Sequence, residues 1–277
     1  FRSVIVIVCF SLINYSCGRK NGSKKFVVGY SQCTTHDVWR KYMQKEMERE
    51  LAFHPEIKLI VKDANLNSEK QIEQIKEFMN EKVDLLIASP AGAEAITPII
   101  NKVYASGIPV ILVDRGINSE DYTAFIGASN YKVGQEAGTY ACSLLKGHGN
   151  VLEIGGMDVG SSADIGRHAG FTDIIKQHKG IKYVARISED WDSDSLEAAK
   201  NLTDQLTKYN NIQLIYTQND RIGLGCYNIC KKLGIANKVF IIGTDGLPGP
   251  NGGIDLVNRG ELKATILYPT GGKEAIQ

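Results

Sequence analysis

The sequence has almost no excess of charge: 32 lysines and arginines face 31 aspartates and glutamates, for a net charge of +1. Without a long-range positive field, nothing steers the chain toward a nucleic acid, which argues against a DNA or RNA partner. Its six cysteines (Cys9, Cys17, Cys33, Cys142, Cys226, Cys230) form no CxxC and no zinc-type pairing with histidine, so neither a disulfide framework nor a metal site is expected. Cys226 and Cys230 lie one helical turn apart, which reads as packing. The five histidines also lack metal-ligand spacing, and His168 reads as a helix-surface residue. Gly223-Leu224-Gly225 lacks the third glycine of a dinucleotide loop, and no Walker-type Gly-Lys-Ser/Thr occurs, so no nucleotide cofactor is implied. Gly160-Ser161-Ser162-Ala163 is not a nucleophile elbow, which needs glycine two residues after the serine. Asp190, Asp192 and Asp194 imitate the start of a calcium loop, but Ser195 and Asn201 stand where glycine and glutamate are required. No nucleophile has a neighbouring base. The expectation is a protein with no catalytic residues, no metal and no cofactor.

Long apolar runs are also missing, with one exception at the start. Val4 to Ile13 is apolar except for Ser11, followed by Ser16-Cys17 and Gly18-Arg19-Lys20. Its length suits a signal-peptide core and falls short of the roughly 20 residues that a membrane-spanning helix needs. The chain opens on Phe1 rather than methionine, so the start is expected to be a fragment. Residues 1–24 are expected to be a signal peptide or membrane anchor plus linker, giving an exported, periplasmic protein. Tyr15 and Leu12 fit a lipoprotein box poorly, and lipidation of Cys17 stays open.

From Lys25 the chain alternates strand and helix. Gly107-Ile108-Pro109-Val110-Ile111-Leu112-Val113-Asp114-Arg115 is the clearest unit. Val110 to Val113 shows no polar alternation, the pattern of a parallel strand covered on both faces. Pro109 stands at the first position, where a missing N–H does little harm. Similar strands are predicted at 26–30, 57–61, 85–88, 151–154, 183–187, 212–217, 239–242 and 264–267, with a short crossing strand at 122–127. Helices are predicted at 39–53, 130–144, 163–176, 196–209, 222–233 and 254–259. Two more run through Ile72, Ile75, Phe78 and Met79 and through Ile96, Ile99, Ile100 and Val103, and another begins at Gly272. Repeated βα units imply an α/β fold with parallel sheets. The restart after residue 128 implies two doubly wound lobes with a hinge: lobe 1 at 25–128, with 268–277 returning to it incompletely, and lobe 2 at 129–267.

In such sheets ligands bind outside the carboxyl ends of the strands. There stand Asp114-Arg115, Gln218-Asn219-Asp220 and Thr244-Asp245-Gly246. A carboxylate accepts from two neighbouring hydroxyls, arginine donates from a fixed fork and asparagine does both, a set suited to a polyhydroxylated ligand. Trp39 and Trp191, the two tryptophans, lie in polar surroundings where a flat indole can cover the C–H face of a sugar. A surface salt bridge for Asp114-Arg115 and core packing for each tryptophan are the alternatives.

With these residues in view, the chain resembles the type I periplasmic sugar-binding proteins, the ribose-binding-like group, which share a core with LacI-type regulators. The marks are Ile108-Pro109-Val110 leading to Asp114-Arg115, then Gly127-Ala128-Ser129-Asn130, then Arg167 with Gly170-Phe171. Gln218-Asn219-Asp220 and Gly243-Thr244-Asp245-Gly246 complete the series. The resemblance implies two lobes joined by three crossings that close on a monosaccharide, a pentose or hexose, furanose forms included. It implies that Asp114, Arg115, Arg167, Asn219 and Asp245 hold hydroxyls and that Trp191 stacks. The first loop departs from ribose binders around Thr35, Asp37 and Val38. Gly29-Tyr30-Ser31-Gln32 with Trp39-Arg40 is instead similar to galactofuranose binders and to the sugar-sensing periplasmic domains of hybrid two-component histidine kinases, which brings Trp39 and Arg40 into the site. The family's late polar contact is not matched cleanly at Tyr268, which stays outside the expected set. The implied partner beyond the sugar is a membrane module, either a fused signalling kinase or a docked ABC permease. A repressor would need a helix-turn-helix before Lys25, where the apolar run stands. A hydrolase would need the catalytic set that the sequence lacks.

Overall fold

The computed structural model describes residues 25–156, 161–189, 196–209 and 211–277. The leader expected at 1–24, Trp191 and the aspartates of the calcium-like stretch lie outside the described residues. Among those described, ten strands form two five-stranded parallel sheets. The first contains β1 (Phe26–Gln32), β2 (Ile57–Asp63), β3 (Leu85–Ser89), β4 (Val110–Val113) and β5 (Ala124–Ile126), in the order β2-β1-β3-β4-β5. The second contains β6 (Gly149–Gly156), β7 (Ile181–Glu189), β8 (Ile212–Thr217), β9 (Phe240–Asp245) and β10 (Ala264–Leu267), in the order β10-β9-β8-β6-β7. Counted within each lobe, both sheets have the order 2-1-3-4-5, so the second lobe repeats the first.

Helices cover both faces of each sheet, as the unbroken apolar strands require. In the first lobe α1 (Val38–Leu51) packs Met43 and Met47 on one face, against Val28, Tyr30 and Ile87. On the other face α2 (Ser68–Glu81) and α3 (Ala93–Ala105) supply Ile75, Phe78, Ile96, Ile100 and Val103. In the second lobe α4 (Asn130–Leu144) and α5 (Ser162–Ile175) cover one face through Ala137, Ala141 and Phe171. The other face is covered by α6 (Leu196–Lys208), α7 (Asp220–Lys232) and α8 (Gly253–Asn258), with Leu202, Ile222, Cys226, Cys230 and Leu256 in its core. Cys226 and Cys230 are thus packing residues, and the four described cysteines are free and buried.

The helices begin where side chains can accept their orphan N–H groups. Asp37, Asn67, Ser129, Ser161 and Asn219 cap α1, α2, α4, α5 and α7 in this way. The α4 and α5 helices touch backbone to backbone. A Cβ on Gly134 would clash with the Arg167 carbonyl, and one on Gly170 with the Tyr131 carbonyl, so glycine at both positions permits the approach.

Two elements differ from the sequence reading. Only 124–126 of the expected crossing strand is extended, and it pairs in parallel with β4 as the edge of the first sheet. The chain crosses just beyond it. After β10 the residues from Gly272 make turns rather than a helix, and Ala275 and Ile276 pack back onto the α1 side of the first lobe.

Candidate functional site

Seven of the eight residues expected at the site meet in one cavity between the lobes. Its lining includes Trp39, Arg40, Asp114, Arg115, Arg167, Asn219 and Asp245, joined by Asp37, Ala163 and Tyr268. Each comes from the carboxyl end of a strand or from the helix that follows it, the end where open parallel sheets bind ligands.

The first lobe supplies a guanidinium held on three sides. Arg40, in the first turn of α1, donates from Nε to Cys33 Sγ at 3.1 Å, from Nη1 to Asp37 Oδ2 at 2.8 Å and from Nη2 to Asp114 Oδ2 at 2.7 Å. Burial opposes its charge, but Cys33, Asp37 and Asp114 outweigh that and push its pKa well above the ordinary arginine value. Asp114 follows β4 with φ +64°, and the Arg115 N–H donates to the Val113 carbonyl at 2.6 Å, closing a tight turn around it. An aspartate with positive φ is uncommon, and such backbone strain gathers at functional sites. Arg115 is 2% exposed and donates from Nη1 to the Ala91 carbonyl at 3.3 Å, with its Nε 3.8 Å from Asp114.

The second lobe supplies a corresponding pair. Arg167 on α5 donates from Nε to Asn130 Oδ1 at 2.9 Å and from Nη1 to the Gln218 carbonyl, and it approaches Asp245 Oδ1 at 4.0 Å. Asp245 ends β9 with φ +119°. Burial raises its pKa well above the carboxylate range; Arg167 opposes that rise and Asp220 adds to it. Asn219 caps α7, its Oδ1 accepting from Ile222 N–H at 2.8 Å.

Sequence reasoning left out Tyr268, which joins these halves. It is 1% exposed, and its hydroxyl donates to Asp114 Oδ1 at 3.2 Å and accepts from Asn130 Nδ2 at 3.2 Å. Its ring lies 5.5 Å from that of Trp39 on one side and 4.5 Å from the Arg167 guanidinium carbon on the other. Trp39 Nε1 donates to the Tyr268 carbonyl at 3.2 Å. The rule that flagged Asp114 and Asp245, a polar group just after a strand, also covers Tyr268 after β10. Asp37 was legible as a cap three residues before an arginine.

Behind the cleft lies Asp220, 5% exposed, its Oδ2 accepting from Gly246 N–H at 2.8 Å. Burial pushes its pKa up to about 7, against the hydrogen bonds from Thr265 and Gly246. His168 lies at the surface of α5, as expected, with its side chain 38% exposed. Its Nδ1 lies 2.8 Å from a carboxylate oxygen of the buried Glu153, and that hydrogen bond raises its pKa. Glu153 Oε1 also accepts from Gln218 Nε2 at 2.8 Å, so this network supports the carbonyl to which Arg167 is bound. Among the described residues no group of three or more His, Cys, Asp or Glu is placed to hold a metal ion, and no helix is long and apolar enough to cross a membrane.

Comparison with known proteins gives a consistent picture. The periplasmic binding protein domain family matches residues 28–276. A solved structure of the fructose-binding periplasmic domain of a hybrid two-component system is 39% identical, with a TM-score of 0.85 over 91% of this chain and 83% of that one. The ribose import binding protein RbsB of Bacillus subtilis (strain 168) is 28% identical over 228 residues, 82% of this chain and 72% of its own. The galactofuranose-binding protein YtfQ of Escherichia coli (strain K12) is 28% identical over 228 residues, 80% of this chain and 71% of its own.

Proposed function

The chain belongs to the periplasmic binding protein family, and from that membership we propose that it binds a monosaccharide between its two lobes and reports the sugar to a membrane module. The observation that carries this reading is a cavity in which carboxylates, guanidinium forks and an amide from both lobes surround two aromatic rings. Asp114 and Asp245 accept from sugar hydroxyls, Arg40, Arg115 and Arg167 donate, and Asn219 does either. Trp39 covers a C–H face, with Tyr268 at its side. Trp191 is assigned a stacking role on the resemblance alone. Lobe 1 comprises 25–128 with the returning 268–277, and lobe 2 comprises 129–267. A sugar held by one lobe recruits the donors of the other, and that difference in contacts is what drives closure. The family is periplasmic, and the leader at 1–24 is proposed as the export signal or anchor.

The output is proposed to be sensing, because 39% identity to the periplasmic domain of a hybrid two-component system exceeds the 28% to the ribose import binding protein. The second reading, an ABC import component, rests on that import protein. A membrane span and kinase encoded beyond Gln277 would select sensing, and a nearby stop would select import. The binding reading is tested by a thermal-shift screen of the chain against D-fructose, D-ribose, D-galactose, D-xylose and myo-inositol. A sugar at a hundred times its dissociation constant stabilises the fold by about 2.7 kcal/mol, so a selective rise in midpoint is expected. A folded protein whose midpoint moves with none of them would overturn the proposal.

A further inference from the structure

A second chamber adjoins the cavity described above. Asp37, Trp39, Asn219 and Asp245 line both, so the two share a wall beside the indole. We propose that this chamber is a second sugar subsite, and that the protein accepts a ligand in which a further glycosyl or alkyl group extends from the ring held by Arg40, Asp114 and Arg167. The inference rests on the monosaccharide reading and names what that site admits beyond one ring.

The walls have the two characters that a sugar ring requires. Val38, Leu247 and Pro250 give an apolar side, while Arg221 and Asn251 give polar groups at its edge. Val38 belongs to the first turn of α1, is 49% exposed and does not line the first cavity. A valine so exposed beside a cleft gains apolar burial only if something enters next to it. The far wall is backbone, the segment through Gly252 and Gly253. A Cβ on Gly252 would clash with the Leu247 carbonyl, and one on Gly253 with the Asp220 carboxylate. Glycine at both positions therefore lets that segment pack closely against Leu247 and Asp220, which line the chamber with it. A bare monosaccharide in the first cavity would leave the second chamber to water. A substituent directed past Trp39 would fill it and use the second part of an indole surface that both chambers share.

Titration calorimetry on the exported chain with matched pairs tests the proposal: D-fructose with sucrose and methyl β-D-fructofuranoside, D-galactose with methyl β-D-galactofuranoside, and D-ribose with methyl β-D-ribofuranoside. For the sugar that binds, its glycoside is expected to bind within about threefold of the free sugar or more tightly. Val38→Trp fills the chamber from an exposed position. It is expected to weaken the glycoside at least tenfold and to leave the free sugar within about threefold, its melting midpoint reporting that it folds. Val38→Ala, which enlarges the space, serves as the second variant and is expected to keep glycoside binding. A free sugar that binds while none of the glycosides does would overturn the subsite and leave the monosaccharide reading standing. Equal effects of Val38→Trp on both ligands, or none on either, would also overturn it. If none of these probes binds a folded protein, the subsite is overturned, and the monosaccharide reading falls with it when D-xylose and myo-inositol also leave the melting midpoint unmoved.

Discussion

The two lobes place the same kinds of residue at the same points of a repeated topology and leave them in different states. In each, an arginine lies on the helix after the lobe's first strand and an aspartate at the end of its fourth, both aspartates with positive φ. In the first lobe the pair is closed, with Arg40 and Asp114 at 2.7 Å and Asp37 and Cys33 taking further donors. In the second it is open, with Arg167 and Asp245 at 4.0 Å and the arginine bound to Asn130 and the Gln218 carbonyl. Lobe 1 therefore satisfies its charges internally and stands preorganised. In lobe 2 a buried carboxylate has an elevated pKa, because desolvation exceeds what Arg167 returns. A sugar hydroxyl donating to Asp245 would supply stabilisation that this lobe lacks alone. Lobe 1 would then hold the ligand first, and lobe 2 would gain by closing on it.

Breaking each pair separately should expose this asymmetry. Asp114→Ala leaves Arg40 with one carboxylate fewer in a buried site, and the loss of a buried partner costs about 3–5 kcal/mol. It should lower the chemical-denaturation midpoint strongly and weaken sugar binding about a hundredfold or more. Arg167→Ala should weaken binding about ten- to a hundredfold, with each lost charged hydrogen bond worth about 1.5–3 kcal/mol. Its effect on unfolding should be smaller than that of Asp114→Ala, and the reverse order in parallel denaturation curves would refute the asymmetry.

Tyr268→Phe removes the hydroxyl shared by Asp114 and Asn130 and keeps the ring between Trp39 and Arg167. A hydrogen bond of this kind is worth about 1 kcal/mol, so calorimetry should show binding weakened about fivefold with the enthalpy less favourable. Full affinity in the variant would remove the tyrosine from the link between lobes.

The smallest effect concerns pH. Burial pushes the pKa of Asp220 up to about 7, well above an ordinary carboxylate. The folded state keeps this proton over a range where the unfolded chain has released it. The stability tied to this group is therefore fully present below the unfolded carboxylate pKa and falls as pH rises through about 7. Asp220→Asn keeps an acceptor for Gly246 N–H and cannot ionise. Its melting midpoint should exceed that of the parent at pH 8 and approach it near pH 4. A constant difference across that range would rule out ionisation of Asp220 as the cause.

Much of this asymmetry could not be read from residue order. The strand β4 was legible from Val110 to Val113, and Asp114 and Arg115 were placed by the end of the run. Arg40 came only from a resemblance, since a Trp-Arg pair opening a helix carries no signature by itself, whereas Trp39 was marked by its polar surroundings. Tyr268 was passed over because nothing in Leu267-Tyr268-Pro269 shows that its hydroxyl lies between Asp114 and Asn130, 154 and 138 residues away. The elevated pKa of Asp245 depends on burial that no local pattern encodes. The edge strand β5 was read as a crossing because two exposed residues and one half-buried residue give too short a period to separate the two.

The close approach of α4 and α5 at Gly134 and Gly170 bears on how such a protein could come to recognise a different sugar. Arg167 rides on a helix with no spare distance from its neighbour, so α5 cannot move toward α4 without a carbonyl collision. Val38, half exposed at the start of α1 beside the first loop, stands under no such constraint. A lineage changing its diet would find its room for variation in the first loop and hold the second lobe's arginine as a fixed gauge.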